Sequence, residues 1–174
     1  MKIRLVRGDI TGEQVDAIVN AANTGLRGGG GVDGAIHRAA GPGLDKACRK
    51  IRDTQGGCPT GEAVITAGFK LPAKAVIHTA GPVWHGGDKG EPEQLRRCYI
   101  NCLNVADDHD MTTIAFPAIS TGVYGYPVRP AAEIAIRTAA EFEGNSLQEV
   151  RFVLFSDRDY AVYEEVLQAE GLSQ

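Results

Sequence analysis

With 174 residues and 43% hydrophobic side chains, the chain is long enough for one globular domain, spanning residues 1–174, with a full core. Its formal charge of −4 argues against general nucleic-acid binding, which needs a basic face, and no apolar run reaches the length of a membrane span. Met1-Lys2-Ile3-Arg4 leads into a strand rather than a signal peptide, so the expected location is the cytoplasm.

In chain order, Ile3–Val6 and Asp16–Asn20 read as strands. Between them, Asp9 either contacts a ligand or supports a local turn. The residues favour the turn, since Thr11 and Gln14 have the spacing of a capping box. Helical patterns follow at Val32–Ala40 and Leu44–Ile51, separated by Gly41-Pro42. Glu62–Thr66 and Ala75–Thr79 read as strands, and the polar loop His85–Pro92 as a mobile surface segment. Glu93–Asp107 reads as a long helix, Thr113–Ile119 as a buried strand, and Pro130–Phe142 as a helix with proline near its start. Val150–Phe155 and Tyr160–Glu170 complete the pattern as strand and helix. Alternation of this kind implies an α/β domain whose sheet is covered on both faces. Cys48, Cys58, Cys98 and Cys102 contain no C-x-x-C pair, and with the histidines they complete no zinc pattern. They read as reduced, buried thiols, and no metal or cofactor is expected.

Ligands of such sheets sit beyond the carboxyl ends of the strands, and three loops there carry chemistry. The first runs from Asn20 through Gly28-Gly29-Gly30-Gly31 to Asp33 and His37. Glycine lets a ligand approach the backbone, and the helix start beyond it offers unpaired N–H groups. Asp33 in that first turn can touch what the loop holds. His37 shares its helix face and can orient the acid, a water or simply a structural hydrogen bond. Asn20 and Asn23 can bind hydroxyls; Asn20 also suits fixing the loop backbone, and Asn23 lies nearer the glycines.

The second loop is Ser120–Pro127. Successive free N–H groups there can form an anion nest, and a plain glycine-rich turn is equally open on the residues alone. The third loop contains Phe155, which either stacks on a base or closes the core.

Known nucleotide and hydrolase motifs fit poorly. No Gly-Lys pair exists, so there is no Walker loop. Gly29-x-Gly31-x-x-Gly34 matches a dinucleotide pattern, but in a glycine run the match is nearly automatic, and Ala21–Arg27 separates it from the strand. Ala118-x-Ser120-x-Gly122 approaches a nucleophile elbow, but the last histidine is His109, so the order of a triad fails.

Several motifs together resemble the macrodomain family. They are Gly8-Asp9-Ile10-Thr11, Val19-Asn20-Ala21-Ala22-Asn23, Gly28–His37, Val76-Ile77-His78-Thr79 with Gly81-Pro82, and Phe116–Pro127. The similarity covers essentially the whole chain and points to the branch that hydrolyses O-acetyl-ADP-ribose and ADP-ribose esters on acidic side chains. It implies a three-layer α-β-α domain with a six-stranded mixed sheet and a cleft for ADP-ribose. Asp9 and the Ile10 backbone would recognise adenine, with Phe155 beside the ring. Ser120, Thr121, Gly122, Val123, Tyr124 and Gly125 would cradle the diphosphate, with Tyr124 closing over the ligand. Asn23 would bond the distal ribose, and Gly31, Val32 and Asp33 would surround the reacting end. Asn20 and His37 complete the expected site. The expected substrates are O-acyl esters of ADP-ribose and ADP-ribosylated proteins, and the alternative is a non-catalytic ADP-ribose reader. In the expected reaction a water attacks an ester of the distal ribose without a metal, and Asn23 holds the ribose. Either Asp33 acts as base, or a substrate phosphate activates the water while Asp33 orients it.

Overall fold

The computed structural model describes residues 1–174. Six strands form one sheet in the order β1-β6-β5-β2-β4-β3. They are β1 Lys2–Arg7, β2 Ala17–Ala22, β3 Ala63–Ala67, β4 Ala75–Ala80, β5 Thr113–Phe116 and β6 Glu149–Leu154. Five run parallel, and β3 joins the β4 edge antiparallel, so the expected mixed α-β-α architecture is present. The helices are α1 Gly31–Ala40, α2 Pro42–Gln55, α3 Glu91–Asp108, α4 Val128–Glu141 and α5 Asp157–Ala169. No helix is long and apolar enough to cross a membrane.

Period-two alternation divides the core between the two faces. Ala17 and Val19 of β2 join the larger apolar cluster, with Leu95 and Leu103 of α3, Ile136 of α4 and Tyr163 of α5. Ile18 and Ala22 face the other way, with Ile36 of α1 and Leu44 of α2. All six residues of β4 are buried, as both-sided cover requires. All four cysteines are free and buried, with Cys98 and Cys102 on one face of α3.

The differences from expectation lie at element ends. β5 stops at Phe116, because Pro117 has no N–H for the ladder. α5 starts at Asp157, earlier than Tyr160, because the Ser156 hydroxyl accepts from Asp159 N at 3.1 Å and caps the helix. The turn after β1 is a 3₁₀ turn, Ile10–Gly12, capped by Asp9 rather than by a Thr11–Gln14 box. The loop expected to be mobile is tied down. Glu91 accepts from the backbone N–H groups of His85, Gly87 and Lys89 at 2.8, 2.9 and 2.7 Å, and is itself 1% exposed.

Candidate functional site

The C-terminal ends of the five parallel strands lie side by side and bring the expected site residues into one row. Asp9 and Ile10 follow β1, Phe155 follows β6, the Ser120–Gly125 loop follows β5, Asn23 and the glycines follow β2, and Gly81 follows β4. Four strand spacings of about 4.8 Å make a track about 19 Å long, suited to an extended ligand.

At the β1 end, Asp9 Oδ1 accepts from Thr11 N at 2.9 Å and from Thr11 Oγ1 at 2.7 Å, so only one carboxylate oxygen is used within the chain. The Ile10 side chain is buried, and its backbone N–H donates to nothing within the chain. Phe155 does not close the core; it is 78% exposed, with the Arg7 guanidinium 6.0 Å from its ring centroid.

In the middle of the track, the backbone N–H groups of Ser120, Thr121, Gly122, Val123 and Tyr124 donate to nothing within the chain. Ser120 holds φ at +67° and Gly125 at +74°, which curls the loop. The curl is closed by Gly125 N donating to Gly122 O at 3.0 Å and Tyr126 N to Ser120 O at 2.9 Å. A run of free donors around such a turn is an anion nest. The two tyrosines divide their roles. Tyr126 is buried against Trp84, with ring centroids 4.6 Å apart, whereas Tyr124 is half-buried and accepts at its carbonyl from Trp84 N at 2.9 Å.

At the far end, no N–H group from Gly28 to Asp33 is donated within the chain. Those of Gly31, Val32 and Asp33 are the orphan donors of the α1 N-terminus, where negative charge is favoured. Gly34 cannot be another residue without moving this loop, since an added Cβ would lie 2.5 Å from Gly29 O. Asp33 is 6% exposed. Its Oδ1 accepts from Asn20 Nδ2 at 2.8 Å and lies 3.3 Å from His37 Nε2. Its Oδ2 borders Gly29: a Cβ there would lie 3.6 Å from Asp33 Oδ2 and 3.9 Å from Asn23 Nδ2. Asn23 is half-buried and braces its loop, donating from Nδ2 to Gly28 O at 2.8 Å and accepting at Oδ1 from Arg27 N at 3.0 Å. Its second amide hydrogen remains for a ligand. Gly31 is exposed and Val32 half-buried beside it.

Two points correct the sequence reading. Asn20 is fully buried and spends its amide on Asp33 and His78, so it supports the acid rather than facing a ligand. His78, which no site motif singles out, is fully buried behind Asn20. The signal was available: an imidazole inside the apolar strand Ala75–Ala80 must find partners. Desolvation and then the nearby His37 lower the His78 pKa to about 3, so its ring is neutral.

A surface hollow of about 370 Å³ lies at the opposite, N-terminal ends of the strands, beside Gln14, Asp16, Lys74 and Thr113. It offers no comparable chemistry, because Asp16 is occupied by Thr112 N and Oγ1 and by Lys74.

Known proteins resemble this arrangement throughout. The Macro domain family model matches residues 19–135. A macro domain-containing protein of Caldanaerobacter subterraneus subsp. tengcongensis is 58% identical over 93% of each chain. The O-acetyl-ADP-ribose deacetylase of Escherichia coli (strain K12) is 54% identical over 98% of this chain and 97% of its own. Among solved structures, the Oceanobacillus iheyensis macrodomain with ADP superposes with a TM-score of 0.92 at 49% identity, covering 95% of this chain and 90% of that one. The Trypanosoma brucei macrodomain in complex with ADP-ribose superposes with a TM-score of 0.88 at 45% identity, covering 95% of this chain and 68% of that one.

Proposed function

The chain belongs to the macro domain family, and from that premise we propose that it binds ADP-ribose along the strand-end track and hydrolyses O-acetyl-ADP-ribose. The observation that carries this reading is Asp33, seated at one end of a row of free N–H groups with one oxygen secured and the other bordering open glycine backbone. Adenine lies at Asp9, Ile10 and Phe155, the diphosphate on Ser120–Gly125, and the distal ribose at Asn23 and Tyr124. The E. coli relative named as a deacetylase of this ester supports the reaction type.

Asp33 Oδ2 takes a proton from a water, whose oxygen bonds to the acyl carbonyl carbon. The carbon–oxygen bond to the ribose then breaks, and the leaving ribose oxygen takes the proton back from Asp33. The products are ADP-ribose and the free acid. A general base of this kind is worth roughly a hundred- to ten-thousand-fold in rate. Held substrate and water supply the rest by orientation.

Esters of ADP-ribose on aspartate and glutamate side chains of proteins are substrates as well. Gly29, Gly30 and Gly31 at the reacting end are exposed, which leaves room for a protein backbone beyond the ester. A cytoplasmic site of action accords with four free thiols.

The test is to incubate the protein separately with O-acetyl-ADP-ribose and with a protein mono-ADP-ribosylated on glutamate. Release of free ADP-ribose from both is the expected result. Binding of ADP-ribose without release from either would make the chain a reader. Release from the small ester alone would confine it to the metabolite.

A further inference from the structure

A polar row crosses the sheet beneath α1 and ends at Asp33. Thr66 of β3, His78 of β4 and Asn20 of β2 stand on three neighbouring strands, on the face shared with Val64, Val76 and Ile18. Asn20 and His78 are fully buried, and Thr66 nearly so. Asn20 Nδ2 lies 2.8 Å from Asp33 Oδ1 and 3.1 Å from His78 Nδ1. His78 Nε2 lies 2.9 Å from Thr66 Oγ1.

The chemistry of the last member fixes the direction of every bond in the row. An ionised carboxylate only accepts, so Asn20 must turn its nitrogen, not its oxygen, toward Asp33. The second hydrogen on that nitrogen then points at His78 Nδ1, which must present a lone pair. The imidazole proton therefore sits on Nε2 and is donated to the Thr66 hydroxyl. A ring kept neutral by burial holds that arrangement across the physiological range.

Resting on the ester-hydrolase reading above, we propose that His78 is a positioning residue for the reaction: its Nδ1 lone pair fixes the Asn20 amide, and Asn20 holds Asp33 Oδ1 so that Oδ2 faces the substrate. His78 moves no proton to the substrate, because a carboxamide stands between it and the acid. Stability alone is a poor reason for this row. Asn20 Oδ1 is buried with no partner, and apolar side chains at these positions would carry no such penalty. The uncompensated carbonyl is tolerated for the geometry that the other end of the amide enforces on Asp33.

The test compares wild type with His78→Leu and His78→Asn, the second of which can place an amide oxygen near the lost Nδ1. For O-acetyl-ADP-ribose hydrolysis, His78→Leu lowers kcat by about 10- to 100-fold while the ADP-ribose Kd stays within about twofold. His78→Asn recovers at least half of that loss on a logarithmic scale. An unchanged kcat in folded His78→Leu, an equal loss in Kd, or no recovery by His78→Asn overturns the proposal. Nitrogen NMR of the wild-type imidazole tests it without any variant. The Nε2–H tautomer, unprotonated from pH 5 to 8, is required; the Nδ1–H tautomer or a titration near pH 6.5 overturns it. Wild type that releases no acetate ends the hydrolase reading and this proposal together, whereas normal wild-type turnover with an unaffected His78→Leu ends this proposal alone.

Discussion

At the scale of single residues, Gly122 separates binding from folding. An added Cβ there meets nothing within 4 Å, and its φ is not left-handed, so Gly122→Val keeps the fold. The new side chain adds bulk to the loop that carries the free N–H groups. ADP-ribose affinity falls at least about tenfold, or about 1.4 kcal/mol, with an unchanged melting temperature. Calorimetric titration beside a thermal melt checks both, and undiminished affinity would place the diphosphate elsewhere. Much of the candidate site's loop chemistry was legible in the sequence. The glycine run before Asp33 and the small-residue loop at Ser120 are local patterns whose chemistry follows from backbone exposure. The role of Asn20 was not legible. Period two says that Asn20 shares a face with Ile18, but not that the first turn of α1 lowers a carboxylate onto it. Phe155 shows the same limit: alternation placed it at a strand end, and only the fold shows that no helix covers its ring.

At the scale of elements, the segment His85–Gly90 behaves as part of α3 rather than as a free loop. Desolvation raises the Glu91 carboxyl, but the N–H groups of Gly87, His85 and Lys89 outweigh it and hold the pKa at about 2. A carboxylate held below its ordinary value of 4.5 stabilises the fold fully above that value and loses its effect as pH falls through about 2. Glu91→Gln leaves one acceptor oxygen where two served three donors. The variant shows faster amide exchange at Gly87 and Lys89 and a lower melting temperature at pH 7. Exchange as slow as in wild type would mean that the loop does not depend on the carboxylate. The segment's polar composition suggested mobility because composition cannot reveal that one acid folds back on its own loop. Element existence and order were readable throughout, since apolar periodicity is local. The ends shifted wherever a cap decided them, as Ser156 did for α5.

At the scale of the whole molecule, acid stability reports on the buried row. The unfolded chain protonates His78 near the ordinary imidazole value of 6.5, whereas the folded chain resists protonation down to about 3. Between those values the unfolded state binds the extra proton, so stability falls as pH drops, by up to about 1.4 kcal/mol per pH unit. Urea unfolding shows a decline beginning near pH 6.5, above the range in which Glu91 acts, and His78→Asn flattens it. The same sheet that buries this histidine aligns the ends of five parallel strands, and that alignment turns scattered motifs into one track suited to an extended ligand. On the reading proposed above, Asp33 performs chemistry at the end of that track rather than merely holding the ligand. The measurement that separates the two roles is release of ADP-ribose from a glutamate-linked mono-ADP-ribosyl protein and from O-acetyl-ADP-ribose, for wild type and Asp33→Ala, together with the ADP-ribose Kd. The expected result is a loss of turnover of roughly a hundredfold or more with Kd within about tenfold. Equal losses in turnover and affinity, or full turnover without the carboxylate, would contradict it.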